Sequence, residues 1–442
     1  MAELRPSGFP EYSPWQQLIF DKLKKIIEEN YQSFWYTHIQ TPAVERNSVL
    51  LSKNWEETWK QIFGLYWMAQ WKDDLKEYGL HFDLTVPFAR YTLDRESQLA
   101  FPFKRYQIQP VRRGERAQKW RYREFYQCDI DVIWKWERKY LYYDAEIIAT
   151  LWKTLENIFD ACEINDAPIF HISNKKLIKS FLWSITDNEE ESQKISNLID
   201  KISKIGEDNF KATLKEDLNI HDEIVNKILS FINFKSNSIE DLDLLKDMCS
   251  VQEYQEWLEE LKGVLCYISK LKSSMNLSFE RIVDLKIIRG LDYYTWTIFE
   301  ANFKSDEGIW SICWWGRYEN LTWYIDPKKN DYCWVGGSIG ISRILWKIFD
   351  EKENSKKTIA DYLFLNFDET FPDILNISSE FVERGENIEI YPEPEKLWKQ
   401  FWYADKKWIP YVVVYGWWEK EQGVYKIKDM KTWEEKLVKI EK

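Results

Sequence analysis

Apolar residues recur at helical spacing between Glu11 and Tyr31, at Leu18, Ile19, Leu23, Ile26 and Ile27, and the extended-looking YTHIQTP (Tyr36 to Pro42) follows. This predicts a helix that feeds a sheet. Alternating polar and apolar positions then dominate HFDLTVPFARY (His81 to Tyr91), RYQIQPVRR (Arg105 to Arg113) and REFYQCDIDVI (Arg123 to Ile133). These read as antiparallel strands, the last two flanking the basic loop GERAQKWR (Gly114 to Arg121). From Ser173 to Gly263 there is no proline, and Ile195, Leu198, Ile199 and Ile202 keep a helical period, which predicts a helical insertion. Strand character returns in DLKIIRGLDYYTWTIFEANF (Asp284 to Phe303) and runs on to WVGGSIGISRILWKIF (Trp334 to Phe349), read as a turn followed by a helix. The charged run DEKENSKK (Asp350 to Lys357) reads as a linker, beyond which YLFLNF, NIEIYP, IPYVVVY and VYKIKD alternate with helical stretches. The pattern therefore divides the chain into an α+β domain in two parts, 1–172 and 271–350, a helical insertion at 173–270, and a small α/β domain at 358–442.

Composition narrows the class. At 442 residues and 45% hydrophobic content the chain can bury several cores. No apolar run reaches the roughly 18 to 20 residues that span a bilayer, and Met1 to Pro10 lacks a signal layout, so a cytoplasmic protein is expected. Six scattered cysteines without a C-x-x-C pair, and only four histidines, argue against a disulfide framework or a zinc cluster. The net charge of −12 argues against a chain coated in nucleic acid but leaves room for a local basic stripe.

One imbalance alters the reading. Glycine numbers 15, about half its usual share of roughly 7%, while tryptophan reaches 25. Trp35 stands between a helix and a strand, Trp408 between KQFWYADKK and IPYVVVY, and Trp314-Trp315 abut Gly316, all places where tight turns or helix ends favour glycine. Trp134-x-Trp136 and Trp417-Trp418 read as polar loop positions with no core to reward an indole. The pattern points to a source that reads UGA as glycine, so that many of these positions are glycine in the working protein. The rival is a protein truly rich in tryptophan.

Four segments carry candidate chemistry: IQTPAVER (Ile39 to Arg46), RRGERAQKWRYREFYQ (Arg112 to Gln127), RGLDYYTWTIFE (Arg289 to Glu300), and CWWGRYENL (Cys313 to Leu321) with GGSIGISRI (Gly336 to Ile344). Together they resemble the class II aminoacyl-tRNA synthetases, and specifically the histidyl-tRNA synthetase family, over nearly the whole chain. The resemblance implies a class II antiparallel sheet with helices, a helical insertion and a C-terminal anticodon-binding domain. It implies a histidine–tRNA ligase that forms histidyl-adenylate from histidine and ATP, releases pyrophosphate, and esterifies tRNA(His). Mg²⁺ would shield the phosphates, and the chain would be a homodimer through the Pro42 strand. By the same resemblance Arg113 meets the α-phosphate, where a planar, permanently charged fork suits developing charge. Glu115 receives the adenine amino group, Phe125 stacks on the base, Arg121 reaches the outer phosphates, and Arg343 binds the γ-phosphate. Arg289 bridges the carboxylate and the α-phosphate. Asp83, Thr85 and Gln127 take the ammonium, while Asp131, Tyr293 and Tyr294 line the side-chain pocket. A site satisfying both imidazole nitrogens rejects apolar analogues, since its own polar groups would be left unpaired. Lys406, Lys407, Lys426, Lys428 and Lys431 would meet the RNA backbone.

Departures are also visible: His81 stands where the family often has arginine, Arg112 and Gly114 flank the motif arginine unusually, and Asp131 is shorter than a common glutamate. The rival of another class is a non-catalytic, synthetase-like regulator or sensor of tRNA, which would lack the ATP arginines or the RNA-binding domain. A third reading is a pocket occluded by true tryptophans at 296, 314 and 315.

Overall fold

The computed structural model describes residues 5–52, 59–65, 77–118, 121–135, 140–186, 188–288, 294–305, 311–318, 321–351 and 356–440, with the side chains at 203, 204, 315 and 351 excepted. The chain separates into two compact units, one made of residues 1–10 and 23–346, the other of 11–22 and 347–442.

In the first unit nine strands form one sheet: β1 (Thr37–His38), β5 (Phe103–Arg112), β6 (Glu124–Lys135), β7 (Pro168–Asn174), β8 (Lys235–Ser236), β9 (Glu280–Asp284), β10 (Thr297–Phe303), β11 (Cys313–Tyr318) and β12 (Tyr332–Ile339). Their spatial order is β1-β5-β6-β12-β11-β10-β7-β9-β8. All neighbours run antiparallel except β1 with β5 and β7 with β9. β2 (Val44–Arg46), β3 (Gly64–Leu65) and β4 (Tyr78–Leu80) make a small second sheet. The helix Leu141–Cys162 buries Ile147, Ile148, Leu151 and Leu155 and packs against β12. Between 175 and 274 the described elements are the helices Lys175–Trp183, Glu189–Ile205, Glu207–Glu216, Asp222–Ile232 and Gln252–Ser274, with β8 and a 3₁₀ stretch, Glu240–Met248. In the second unit five strands, β13 (Tyr362–Phe364), β14 (Ile388–Ile390), β15 (Tyr411–Val414), β16 (Val424–Asp429) and β17 (Glu435–Lys439), lie in the order β14-β13-β15-β16-β17. β13 pairs parallel with β14 and with β15, and Ile374, Ile377 and Phe381 of the helix Phe371–Glu383 share its core.

Three expectations are corrected. HFDLTVPFARY is not a strand: Thr85–Asp94 is a helix. Asp83 Oδ1 accepts from Val86 N–H (3.1 Å), and Pro87 falls in the first turn, where a missing N–H breaks no intrahelical bond. Val86, Pro87, Phe88 and Ala89 are all buried, so tertiary packing overrides a strand-like composition. The stretch from Trp334 to Ile339 is a full strand rather than a turn, with its glycines inside the sheet. Trp134 lies on β6 and is fully buried, stacked near Tyr143 and under Arg317, so it occupies core and not a polar loop. Trp136 falls outside the described residues, and Trp417 and Trp418 are exposed on the helix Trp417–Gln422.

Backbone geometry singles out three other tryptophans. Trp35, Trp408 and Trp433 have φ of 64°, 59° and 64°, in the left-handed region that glycine adopts without strain. Trp408 is the C-cap of the helix Leu397–Lys407, and the three indoles are 77%, 50% and 58% exposed.

Candidate active site

Side chains alternate across a strand, so the register defines which residues share a face. Arg105 on β5 stands opposite Asp131 on β6, Gln107 opposite Asp129, and Gln109 opposite Gln127. Across β6 and β12, Asp131 faces Gly336 and Asp129 faces Ser338; across β12 and β11, Gly336 faces Gly316 and Ser338 faces Trp314. One face of the sheet thus carries a row Arg105–Asp131–Gly336–Gly316 beside a row Gln107–Asp129–Ser338–Trp314.

The two glycines make room. A Cβ at Gly336 would overlap the Asp131 carboxylate, and one at Gly316 would overlap the ring of Tyr294. Asp131 is buried, accepts from the Tyr318 hydroxyl on Oδ1, and pairs through Oδ2 with Arg105 Nη2 at 2.6 Å. Burial pushes its pKa up to about 7, with Asp129 and Asp83 adding to the rise while Arg105 opposes it. Asp83 is fully buried at the start of the Thr85–Asp94 helix, and burial raises its pKa to about 6 against the pull of the Val86 N–H and Arg113. Asp83 Oδ2 and Gln127 Oε1 have no hydrogen-bond partner although both are buried. Buried polar atoms left unpaired in this way are the mark of a site that a polar ligand or water completes. Thr85, also buried, opens the helix beside Asp83. Tyr294 is buried edge-on to Tyr318, with ring centroids 6.2 Å apart.

Farther along the β5–β6 hairpin the character changes to cation and aromatic. Arg113 donates through Nε to Phe82 O (3.1 Å), and its guanidinium lies 5.0 Å from the ring centre of Phe125. Arg121 and Glu115 form an ion pair with each other. Arg343, on the helix Ile341–Glu351, donates to the carbonyl of Ser311 and stacks 5.3 Å over the indole of Trp314, which also presses on Gly340. Trp296 is buried between Lys176 and Arg317. Arg289 and Tyr293 lie outside the described residues.

Two partners of Asp131 were not singled out from the sequence. Tyr318 sits inside CWWGRYENL, and Arg105 begins an alternating Arg105-x-Gln107-x-Gln109 series. A strand whose every second residue is polar while Tyr106 and Ile108 between them are also buried signals polar groups committed to a site. Gln107 and Gln109 hold Thr41 in addition: Gln107 Nε2 donates to Thr41 Oγ1 (2.8 Å), and Thr41 N–H donates to Gln109 Oε1 (3.1 Å).

An antiparallel sheet bearing an arginine–aromatic hairpin and a buried polar pocket, in a chain that ends in a small mixed α/β unit, defines a class II aminoacyl-tRNA synthetase. The histidyl-tRNA synthetase family matches residues 8–344, and an anticodon-binding domain family matches 363–442. The chain belongs to the histidyl-tRNA synthetase family. It is 36% identical over 440 residues to a histidine–tRNA ligase of Clostridium tetani, covering 98% of this chain and 95% of that one. A histidine–tRNA ligase of Stenotrophomonas maltophilia is 37% identical over 447 residues, with coverages of 96% and 93%. The crystal structure of histidyl-tRNA synthetase from Nostoc sp. PCC 7120 superposes with a TM-score of 0.86 at 32% identity, covering 99% of this chain and 97% of that one. An ATP phosphoribosyltransferase regulatory subunit/histidyl-tRNA synthetase from Bacillus halodurans, 16% identical with a TM-score of 0.72 and coverages of 88% and 93%, shares the fold.

Proposed function

We propose that the chain is a histidine–tRNA ligase, acting in the cytoplasm as a homodimer. Histidine enters the polar pocket with its ammonium on Asp83, Thr85 and Gln127 and its imidazole between Asp131 and the tyrosines, Tyr293 and Tyr294. ATP lies along the hairpin, the base on Phe125 and Glu115, the α-phosphate on Arg113 and Arg289, the outer phosphates on Arg121 and Arg343. Attack of the histidine carboxylate on the α-phosphorus forms the adenylate and expels pyrophosphate, after which the 3′-terminal adenosine of tRNA(His) takes the histidyl group. Rate comes from alignment and from fixed cations facing the charge that develops on phosphorus. Mg²⁺ bound to the β and γ phosphates of the nucleotide would shield their charge while Arg113, Arg121 and Arg343 face the phosphates. The 358–442 domain binds the anticodon, and 173–270 is an insertion within the catalytic domain.

The observation that carries the reading is the buried, incompletely paired polar pocket of Asp83, Gln127 and Asp131 beside the Arg113–Phe125 stack. The proposal includes glycine at many tryptophan positions. Positive φ at Trp35, Trp408 and Trp433 supports it, as does the Trp314 indole wedged between Gly340 and Arg343, on the group meant for the γ-phosphate. Trp134, Trp152 and Trp334, in contrast, are packed as core.

The test is histidine-dependent ATP–pyrophosphate exchange, measured on the chain as written and on a version with glycine at 120, 296, 314 and 315. Exchange only in the glycine version supports both the enzyme and the recoding. Equal exchange in both keeps the enzyme and removes the occlusion argument. No exchange in either folded chain puts the regulator reading first.

A further inference from the structure

Arg105 is an expensive residue to place where it stands. It is fully buried, its guanidinium carbon lies 4.3 Å from the centre of the Phe88 ring, and none of its three nitrogens makes an in-line hydrogen bond. Its charged contact is Asp131 Oδ2, directly opposite in the β5–β6 register. Arginine stays protonated in proteins, so this is a permanent cation in direct contact with Asp131, which it favours in charged form more strongly than the more distant Asp83, while it also acts on Asp129. A buried pair of this kind contributes little to stability compared with an apolar pair of the same volume. Its value lies in what it does to the carboxylate.

We propose that Arg105 is a positioning residue for histidine selection, holding Asp131 ionised and fixed so that the imidazole meets a charged acceptor. The proposal rests on the reading that Asp131 faces the substrate side chain. Geometry makes Arg105 the group suited to this. Among the described residues, the other titratable groups found around Asp131 are Asp129 on the same strand, Asp83 ahead of the Thr85–Asp94 helix, Tyr318 on β11 with Tyr294 packed against it, and Tyr36 beyond the first helix. None of these is a cation, and both aspartates favour protonation of Asp131. With Arg105 removed, the carboxyl is neutral over more of the physiological range, and a neutral acid is the weaker acceptor for an imidazole N–H. Tyr318 and the glycine at 336 then fix where the carboxyl sits but no longer its charge.

The test is histidine binding by titration calorimetry between pH 5.5 and 9, on the full chain in the form that exchanges pyrophosphate, comparing it with Arg105→Met, Arg105→Lys and Asp131→Asn. In the unaltered chain, affinity is expected to fall on the acid side, with a midpoint near the Asp131 value of about 7. Arg105→Met is expected to move that midpoint up by at least one pH unit, which at pH 7 is about a fivefold loss or more, and the gap closes toward pH 9. Arg105→Lys keeps the midpoint near its original place. The titration of histidine itself is common to all the proteins and cancels in the comparison. A loss in Arg105→Met that is the same at every pH, or no loss, overturns the proposal. Should Arg105→Met not fold, a full unit of displacement in Arg105→Lys overturns it and an unmoved limb supports it. If Asp131→Asn binds histidine as tightly as the unaltered chain, the placement of Asp131 against the imidazole fails instead, whatever the arginine variants do.

Discussion

Glycine and alanine at the same position separate a backbone effect from the loss of an indole, because both truncations remove nearly the same side chain. At Trp35, Trp408 and Trp433 the φ values of 59° to 64° strain any residue with a Cβ, by about 1 to 2 kcal/mol. Glycine is relieved of that strain but gives back about 0.4 to 1 kcal/mol through its freer unfolded chain. The difference favours glycine over alanine by about 0.8 kcal/mol at the middle of these ranges. Trp398 and Trp402 supply the control, since they are exposed on the regular helix Leu397–Lys407. There alanine should be the more stable by about 1 kcal/mol. The sign therefore reverses between Trp402 and Trp408, six residues apart in the same unit. Urea unfolding of matched pairs, W402G with W402A and W408G with W408A, reads the reversal in one transition. Alanine equal to or better than glycine at 408 and 433 would refute the backbone argument, and with it the geometric support for recoding at those positions.

Three further outcomes are expected. Gly336→Ala places a methyl on the Asp131 carboxylate and should weaken histidine binding by an order of magnitude or more, on the basis that a tenfold loss is about 1.4 kcal/mol, with the KM for ATP little changed; unaltered histidine affinity would mean Asp131 has space to yield. Asp144→Ala leaves Arg317, buried under Trp134 and bonded to that carboxylate, as an uncompensated cation, and should cost about 3 to 5 kcal/mol in equilibrium unfolding; a loss under about 1 kcal/mol, the scale of an exposed pair, would show the pair to be dispensable. Asp83 and Asp131 titrate at about 6 and about 7 when folded, above their unfolded value of 3.8, so the ligand-free folded state binds more protons than the unfolded one across that window. Their contribution to stability is greatest below the window and is lost as pH rises through it; thermal melts at pH 5 and 7.5 should show a smaller decline with pH in Asp83→Asn and Asp131→Asn than in the parent, and an equal decline would sink the assignment.

The sequence carried some elements clearly and concealed others for physical reasons. RYQIQPVRR and REFYQCDIDVI form β5 and β6, because long alternating runs with a polar hairpin between them admit few other folds. HFDLTVPFARY became a helix, since burial on every side and a capping aspartate outweighed its β-branched and aromatic content. The glycine cluster at 336 was read as a turn, the ordinary meaning of such a cluster, when its cause lay 205 positions away in sequence order at Asp131. No local pattern encodes that contact. Asp83, Gln127, Asp131 and Tyr294 could be named from their motifs, whereas Arg105 and Tyr318 emerge as partners of Asp131 only once register is known. Trp134 shows the limit of composition: an indole in a charged-looking stretch is a core residue when its strand is central.

The row Arg105–Asp131–Gly336 has a consequence for how this pocket can change over generations. A side chain at 336 would overlap the carboxylate, and replacing either member of the Arg105–Asp131 pair would leave the other buried without its charged partner. Each single replacement passes through a worse protein, so the three positions are expected to be inherited as a block and to differ together between lineages. A collection of related sequences sorted by the residue at 131 would then fall into discrete triplets rather than a continuum, with few mixed combinations between them.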